Sequence, residues 1–328
     1  MKRFLSLMMA VLMVVALASC KAEKNEEPEE LVDANVYVLT GPTGIGAVNM
    51  WYESENDEAL ANFHFNAAAA PDEVVSKIST GEADIAAVAT NLAAKLYNKT
   101  EGKIKILAVN TLGVLNVLDN TGAAINSIAD LKGRKIVTTG QGSNPEFVIN
   151  HLLKQNGIDP EKDVTIEFKA EGSELPAVWA TDPEAIIIAP QPVATAIKGK
   201  YENSKIVLDL TNEWKKTNAD SELMMGCVIV RAEFLEAHPA TVKQFLAAYE
   251  KSVNNAVSDP ENTGILCEKY GIVAAAKMAQ AAIPACNLCF ITGDEMKQKL
   301  TGYLQVLFDA DPTSVGGKMP DDGFWYAA

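Results

Sequence analysis

Arginine is nearly absent from this chain: Arg3, Arg134 and Arg231 are the only three in 328 residues. An anion site must therefore rely on backbone N–H groups, hydroxyls or lysine more than on guanidinium forks. Basic charge is scarce altogether. Lys and Arg number 28 against 43 Asp and Glu, a formal net charge of −15. That balance argues against a general nucleic-acid binder, which works by displacing counterions. Histidine is as rare, with His64, His151 and His238 scattered along the sequence. No H-E-x-x-H occurs, and Cys286-x-x-Cys289 has no second C-x-x-C to complete a zinc site. No metal and no cofactor are expected. The G-x-S-x-G elbow is missing too. Gly41 to Gly46 has the spacing of a triphosphate loop, but Ala47 and Val48 stand where lysine and a hydroxyl are needed. The same glycines miss G-x-G-x-x-G. With no nucleophile–base pairing in view, the chain reads as a binder and not an enzyme.

Long apolar runs are also missing beyond the N-terminus, so no later segment is expected to span a membrane. The N-terminus itself is distinctive. Lys2 and Arg3 precede Phe4 to Leu17, apolar except for Ser6, and Leu17-Ala18-Ser19-Cys20 ends the run. It is short for a span and has the layout of an export signal. The small residues before Cys20 resemble a bacterial lipobox, which implies cleavage after Ser19 and lipidation (palmitate among the acyl chains) of the Cys20 thiol. Residues 1–19 are then signal peptide. Residues 20–34 form a flexible tether, because Lys21 to Glu30 is polar, acidic and broken by Pro28. The expected location is extracytoplasmic, anchored to the cell membrane. Cys227, Cys267, Cys286 and Cys289 read first as buried thiols acting as small apolar side chains. A redox pair at Cys286 and Cys289 stays open, and export would permit a disulfide.

The remainder is 48% apolar and 22% charged over the whole sequence, ordinary globular material of about two domains. From Asn35 short β-rich runs alternate with helical stretches. Val36–Leu39, Asn62–Asn66, Asp84–Ala89 and Lys103–Val109 read as strands; Ala47–Glu55, Pro71–Thr80 and Asn91–Tyr97 as helices. The series then begins again. Strands are expected at Lys135–Thr139, Val164–Lys169, Ala185–Ala189 and Lys205–Leu208, with helices at Pro145–Asn156, Glu174–Ala180 and Val193–Lys198. A shift of 101 residues brings Glu73, Thr80, Ile85 and Ala93 onto Glu174, Thr181, Ile186 and Ala194. Shifts of 99 and 103 bring Val38, Thr40 and Gly41 onto Val137, Thr139 and Gly140, and Phe65 onto Phe168. Met224–Val230 reads as a strand, and Pro239–Val257, Ile265–Ala282 and Asp294–Phe308 as helices packing back on the first half. The expected architecture is α/β with two similar lobes. Lobe 1 takes residues 35–113 and 225–328, lobe 2 takes 114–224, and the chain crosses near Thr111–Leu118 and Leu223–Cys227.

Ligands of α/β sheets bind beyond the carboxyl ends of strands. The turns there supply the candidate binding residues. Thr43, Gly44 and Ile45 lie in the glycine turn before a helix, where free N–H groups and a partial positive charge collect. Thr90 and Asn91 follow the third strand, and Asn110 and Thr111 the fourth. Gln141, Gly142, Ser143 and Asn144 mirror the first turn, and Gln191 between two prolines mirrors Thr90-Asn91. Trp51 stands at helical spacing from the first turn, as cleft wall or core. Neutral hydroxyls and amides suit an oxyanion or a polar heterocycle, held in a cleft that closes by hinge motion.

In this order the residues resemble bacterial ABC-transporter substrate-binding lipoproteins, within them the nitrate/sulfonate/taurine and thiamine-precursor group. The resemblance is carried by Leu39-Thr40-Gly41-Pro42-Thr43-Gly44-Ile45-Gly46, Gly81-Glu82-Ala83-Asp84-Ile85-Ala86 and Ala189-Pro190-Gln191-Pro192-Val193-Ala194-Thr195-Ala196. His238-Pro239 before the long helix matches the same style. It implies a type II periplasmic-binding-protein-like fold, two α/β lobes joined by a two-strand hinge. It also implies a monomer without catalysis, which passes a small polar solute to an ABC permease. Gln191 stands where such proteins often carry an acidic residue. A sulfonate or other oxyanion and a neutral heterocycle such as a thiamine precursor remain equally open. Two rivals remain: a two-lobed enzyme of pyrimidine or thiamine-precursor metabolism, with His64 its nearest reactive group, and a sensing lipoprotein without a permease.

Overall fold

The computed structural model describes residues 31–218 and 221–327. The expected signal peptide, Cys20 and most of the tether lie outside the described residues. Eleven strands follow among the described residues: β1 (Ala34–Leu39), β2 (Phe63–Ala68), β3 (Ile85–Ala89), β4 (Ile104–Leu112), β5 (Leu115–Asp119), β6 (Lys135–Thr139), β7 (Thr165–Lys169), β8 (Ile186–Pro190), β9 (Lys205–Asp209), β10 (Met224–Arg231) and β11 (Leu288–Ile291). They form two sheets, ordered β11-β4-β10-β3-β1-β2 and β7-β6-β8-β5-β9.

With β11 set aside, the two orders are the same. β4-β10-β3-β1-β2 corresponds to β9-β5-β8-β6-β7, strand for strand. β1 is parallel to β2 and β3, as β6 is to β7 and β8. In each sheet one strand runs against its neighbours: β10 between β3 and β4, and β5 between β8 and β9. Both antiparallel strands come just after the chain has passed from one sheet to the other. The repeat counted in the sequence is therefore structural, and Ile85 and Ile186 each open the third strand of their own sheet.

Central strands are buried on both faces and read as continuous apolar runs. In β3, Ile85 and Ala87 join one apolar cluster, while Ala86 and Val88 join another. The period of two is the strand pleat. One cluster backs the first sheet with Phe245, Tyr249 and Val253 of the Pro239–Ser258 helix. A smaller one backs the second sheet around Leu175 and Trp179. The third runs through both lobes, from Ile106 and Ile229 to Val117 and Ile136, under Met296, Leu300 and Leu304 of the Gly293–Ala310 helix.

The first passage between lobes is Gly113-Val114; the second leads from the Leu210–Thr217 helix to β10. They lie against each other at Gly113. A Cβ there would sit 2.3 Å from Thr211 Oγ1 and 3.0 Å from Leu223 Cδ1, so only glycine lets the two segments meet this closely.

Several local readings change. The Gly41–Gly46 turn contains a single helical turn, Pro42–Ile45. The expected Ile265–Ala282 helix is two, Pro260–Lys269 and Ala276–Ala282, broken after Tyr270 at Gly271. Glu174–Ala180 is a 3-10 segment followed by one α turn, Val178–Thr181. The C-terminal part does contribute a strand, since β11 pairs with β4.

Candidate functional site

β1, β2 and β3 end at Leu39, Ala68 and Ala89, and β6, β7 and β8 at Thr139, Lys169 and Pro190. These six carboxyl ends meet at one cleft of about 550 Å³ between the lobes. Leu39, Thr40, Ala69 and Ala89 line one side, and Thr139, Gly140, Phe168, Lys169 and Pro190 the other. Val114 and Met225, next to the two crossings, also line it. A larger groove of about 760 Å³ runs along Glu146, Lys154, Asp159 and Glu161. Its wall is largely the Asn144–Gln155 helix and the loop after it; it shares Phe168 with the cleft but gathers no other strand end, so the smaller cleft is the better site.

Of the candidates drawn from the sequence, the structure brings Thr43, Thr111, Gln141, Ser143 and Asn144 to the cleft wall. The others serve the packing around it. Gly44 and Ile45 are buried behind Thr43. Trp51 stacks between Phe65 and Tyr270, with ring centroids 5.6 and 4.3 Å away. Thr90 and Asn91 are fully buried. Thr90 donates to the Met224 carbonyl at 2.5 Å, and the Asn91 amide to the Ser314 carbonyl at 3.2 Å. Gly142 is exposed beside the cleft, its carbonyl accepting a 2.8 Å bond from Lys95 Nζ. Gln191 is 2% exposed, and its amide oxygen accepts from the Thr195 hydroxyl at 2.7 Å. That side chain is turned onto the start of its own helix.

Asn110 is the most fully used of the group. Its amide donates to the Thr43 carbonyl at 3.2 Å and to the Tyr249 hydroxyl at 2.8 Å. Its oxygen accepts from the Thr111 hydroxyl at 3.0 Å. With both amide protons spent and 1% exposed, Asn110 holds neighbours in place and has no donor left for a ligand.

The second-lobe turn is tied across the cleft. The Asn144 amide donates to Thr90 Oγ1 at 3.2 Å and to the Met225 carbonyl at 2.8 Å. Lys95, besides its bond to Gly142, lies 5.1 Å over the Phe147 ring. Burial lowers the pKa of this ammonium, with Asp311 and Glu146 opposing the shift.

Lys169 is the single charged side chain on the cleft wall among the described residues. It donates to Glu167 Oε1 at 2.5 Å, and Lys135 bridges the same carboxylate at 2.9 Å. Hydrogen bonds from Lys169, then Lys135, hold the Glu167 carboxyl down at about 2. Lys169 thus lines the cleft with its ammonium paired to Glu167, and no carboxylate stands on the cleft wall itself among the described residues. None of the four described cysteines lines the cleft. Cys227, Cys267, Cys286 and Cys289 are free, and burial pushes the last three up to about 12 and Cys227 upward too. The Cys286–Cys289 redox and disulfide readings find no support in this state. His64 sits near the amino end of β2, 3.5 Å from Asp33, at the far end of the strand from the cleft.

Sequence reasoning missed Lys169 and Phe168 because it passed over the ends of β2 and β7. The signal was present: Phe168 had already been matched to Phe65 by the repeat, and the same strand-end rule places Lys169 at the mouth.

Solved structures of low sequence identity share this architecture. An ABC transporter protein from Parabacteroides distasonis is 23% identical, with 90% of this chain and 99% of that chain covered and a TM-score of 0.74. The periplasmic aliphatic sulphonate binding protein SsuA from Escherichia coli is 14% identical, with 92% and 94% covered and a TM-score of 0.70. The ligand binding component of an ABC-type import system from Staphylococcus aureus is 14% identical, with 91% and 97% covered and the same TM-score of 0.70. The fold is thus that of the two-lobed periplasmic binding proteins. A family model described as NMT1/THI5 like matches residues 62–263, and the chain belongs to that family. No curated protein matches it.

Proposed function

We propose that this protein is the solute-binding component of an ABC importer. It captures a small organic anion between its lobes and hands it to a permease. The carrying observation is the cleft at six strand ends, whose single charged lining side chain among the described residues is Lys169. Apolar walls from Leu39, Pro42, Pro71 and Phe168 suit an organic body, and Lys169 with the Thr43 and Ser143 hydroxyls suits an anionic head. The sulphonate binding of the Escherichia coli neighbour supports the same class. The two lobes (35–113 with 225–328, and 114–224) close on the solute about the paired crossings at Gly113 and Leu223. Export and anchoring through Cys20 place the protein outside the cytoplasm as a monomer, with solute capture and not turnover as its task. A neutral heterocycle is the second reading, favoured by Phe168 and the predominance of apolar lining.

Thermal-shift titration with alkanesulfonates, nitrate, their neutral sulfonamide counterparts and pyrimidines tests this. A true ligand raises the melting temperature with concentration. Lys169→Met is expected to weaken the anions about tenfold, the usual scale of one charge-assisted hydrogen bond, and to spare the neutral compounds. A panel without any shift, or anions bound equally by both proteins, overturns the anion reading.

A further inference from the structure

Tyr249 and Ser252 sit one turn apart on the Pro239–Ser258 helix, buried among apolar side chains and remote from the cleft wall. Their hydroxyls nevertheless reach the glycine turn. Tyr249 OH accepts from Asn110 Nδ2 at 2.8 Å, and the same nitrogen donates to the Thr43 carbonyl at 3.2 Å. Ser252 Oγ donates to the Gly46 carbonyl at 2.6 Å and accepts from the Met50 amide at 2.9 Å. The Asn49 amide closes the set, donating to Thr263 Oγ1 at 3.1 Å. Each end of the turn is therefore fixed from behind by a side chain some two hundred residues away in sequence or by a relay to one. Burial raises the Tyr249 hydroxyl pKa well above its ordinary value, so it stays a neutral bonding partner at any physiological pH.

A merely structural tyrosine would need no relay. Packing is supplied by its ring, stacked 5.4 Å from Phe245. The hydroxyl adds only the bond to Asn110, and Asn110 spends that nitrogen on the backbone of a cleft-lining residue. We infer that Tyr249 and Ser252 are positioning residues for the cleft: together they hold Thr43 and the backbone of its turn in a fixed presentation. For capture this matters on the reading proposed above; the placement of the turn can be measured without any solute.

Hydrogen–deuterium exchange on the purified protein, with Tyr249→Phe and Ser252→Ala, tests it. The reporters are the amides of Gly41, Gly44, Ile45 and Ala47, which bond to Ile272, Gly41 and Gly44 carbonyls. Each variant is expected to speed their exchange about 3–10-fold, the equivalent of one lost buried hydrogen bond, while β6 and the Asn144–Gln155 helix keep parental rates. Two variants are used so that one remains readable where the other folds poorly. Parental exchange at the turn in the folded variants, or acceleration spread evenly over both lobes, overturns the assignment. A solute panel without any binding would sink the capture reading and leave this exchange pattern standing.

Discussion

The two mouths of the cleft are built from matching turns and held in opposite ways. Gly41–Gly46 is fastened to its own lobe through Asn110, Ser252 and the Ile272 carbonyl. Gln141 and Gly142 are exposed, and the turn that carries them is fastened within its lobe by Gly142 N–H to Glu146 at 2.5 Å. Ser143 N–H to the Gly140 carbonyl adds a second tie within the lobe, and further ties come from the opposite lobe, through Lys95, Thr90 and Met225. The bonds that hold the first mouth all lie within the first lobe. The second draws part of its support from contacts across the cleft. An identical strand order thus yields one fixed jaw and one conditional jaw, because the supporting helices come from the C-terminal part of the chain, which covers the first lobe's sheet.

The largest way to break this contrast is at Gly226. A Cβ there would come within 2.5 Å of both Asn110 Oδ1 and Thr43 Cγ2. Gly226→Ala is expected to cost roughly 1–3 kcal/mol in urea unfolding, as forced overpacking does, and to loosen the fixed jaw. Gln141→Ala on the other jaw should stay within about 0.5 kcal/mol, the range of surface changes. Equal losses would erase the asymmetry. A smaller effect is expected from Lys95→Met, which removes the tie to Gly142 and the charge over Phe147. The loss of about 1 kcal/mol would shift the balance toward separated lobes about fivefold, read as a larger radius of gyration in small-angle scattering. Unchanged scattering would mean that Lys95 is decorative.

The smallest effect is one of pH. His151, on the conditional jaw's helix, has its pKa lowered by burial against Trp214, partly offset by the hydrogen bond to Asn218 at 3.1 Å. A depressed imidazole means the unfolded chain binds the proton more readily. The stability this provides is full above the unfolded value of about 6.5 and fades as pH falls through the folded one. Melting temperature should therefore fall between pH 7 and 5 more steeply in the parent than in His151→Gln. Parallel curves would remove His151 from the account.

Much of the architecture was legible because its signals are local. Pro71 at a helix start and Gly81 just past its end mark that helix at both ends in the sequence as in the structure. The Lys135–Thr139 strand was equally plain. β5 and β11 were not, since each owes its existence to distant partners: Leu115 pairs with Pro190, and Leu288 with Thr111. The cleft's location was legible from the glycine turns and the repeat. Side-chain direction was not. Asn110 and Gln191 looked like ligand contacts, yet one bonds to Tyr249 and the other to Thr195. Lys169 went unread because a lysine ending an edge strand looks like surface until the opposite lobe is seen across from it.

The apolar cluster that passes beneath both sheets sets what the two halves can do. With Leu300 and Leu304 touching a body of side chains that includes Ile229 on one side and Val117 on the other, they share a common axle. On the closure proposed above, gaping at the front would be a roll about that greasy rear edge, since sliding or full separation would bring it into water. Neither half would be expected to survive alone, and heat should melt them in a single event.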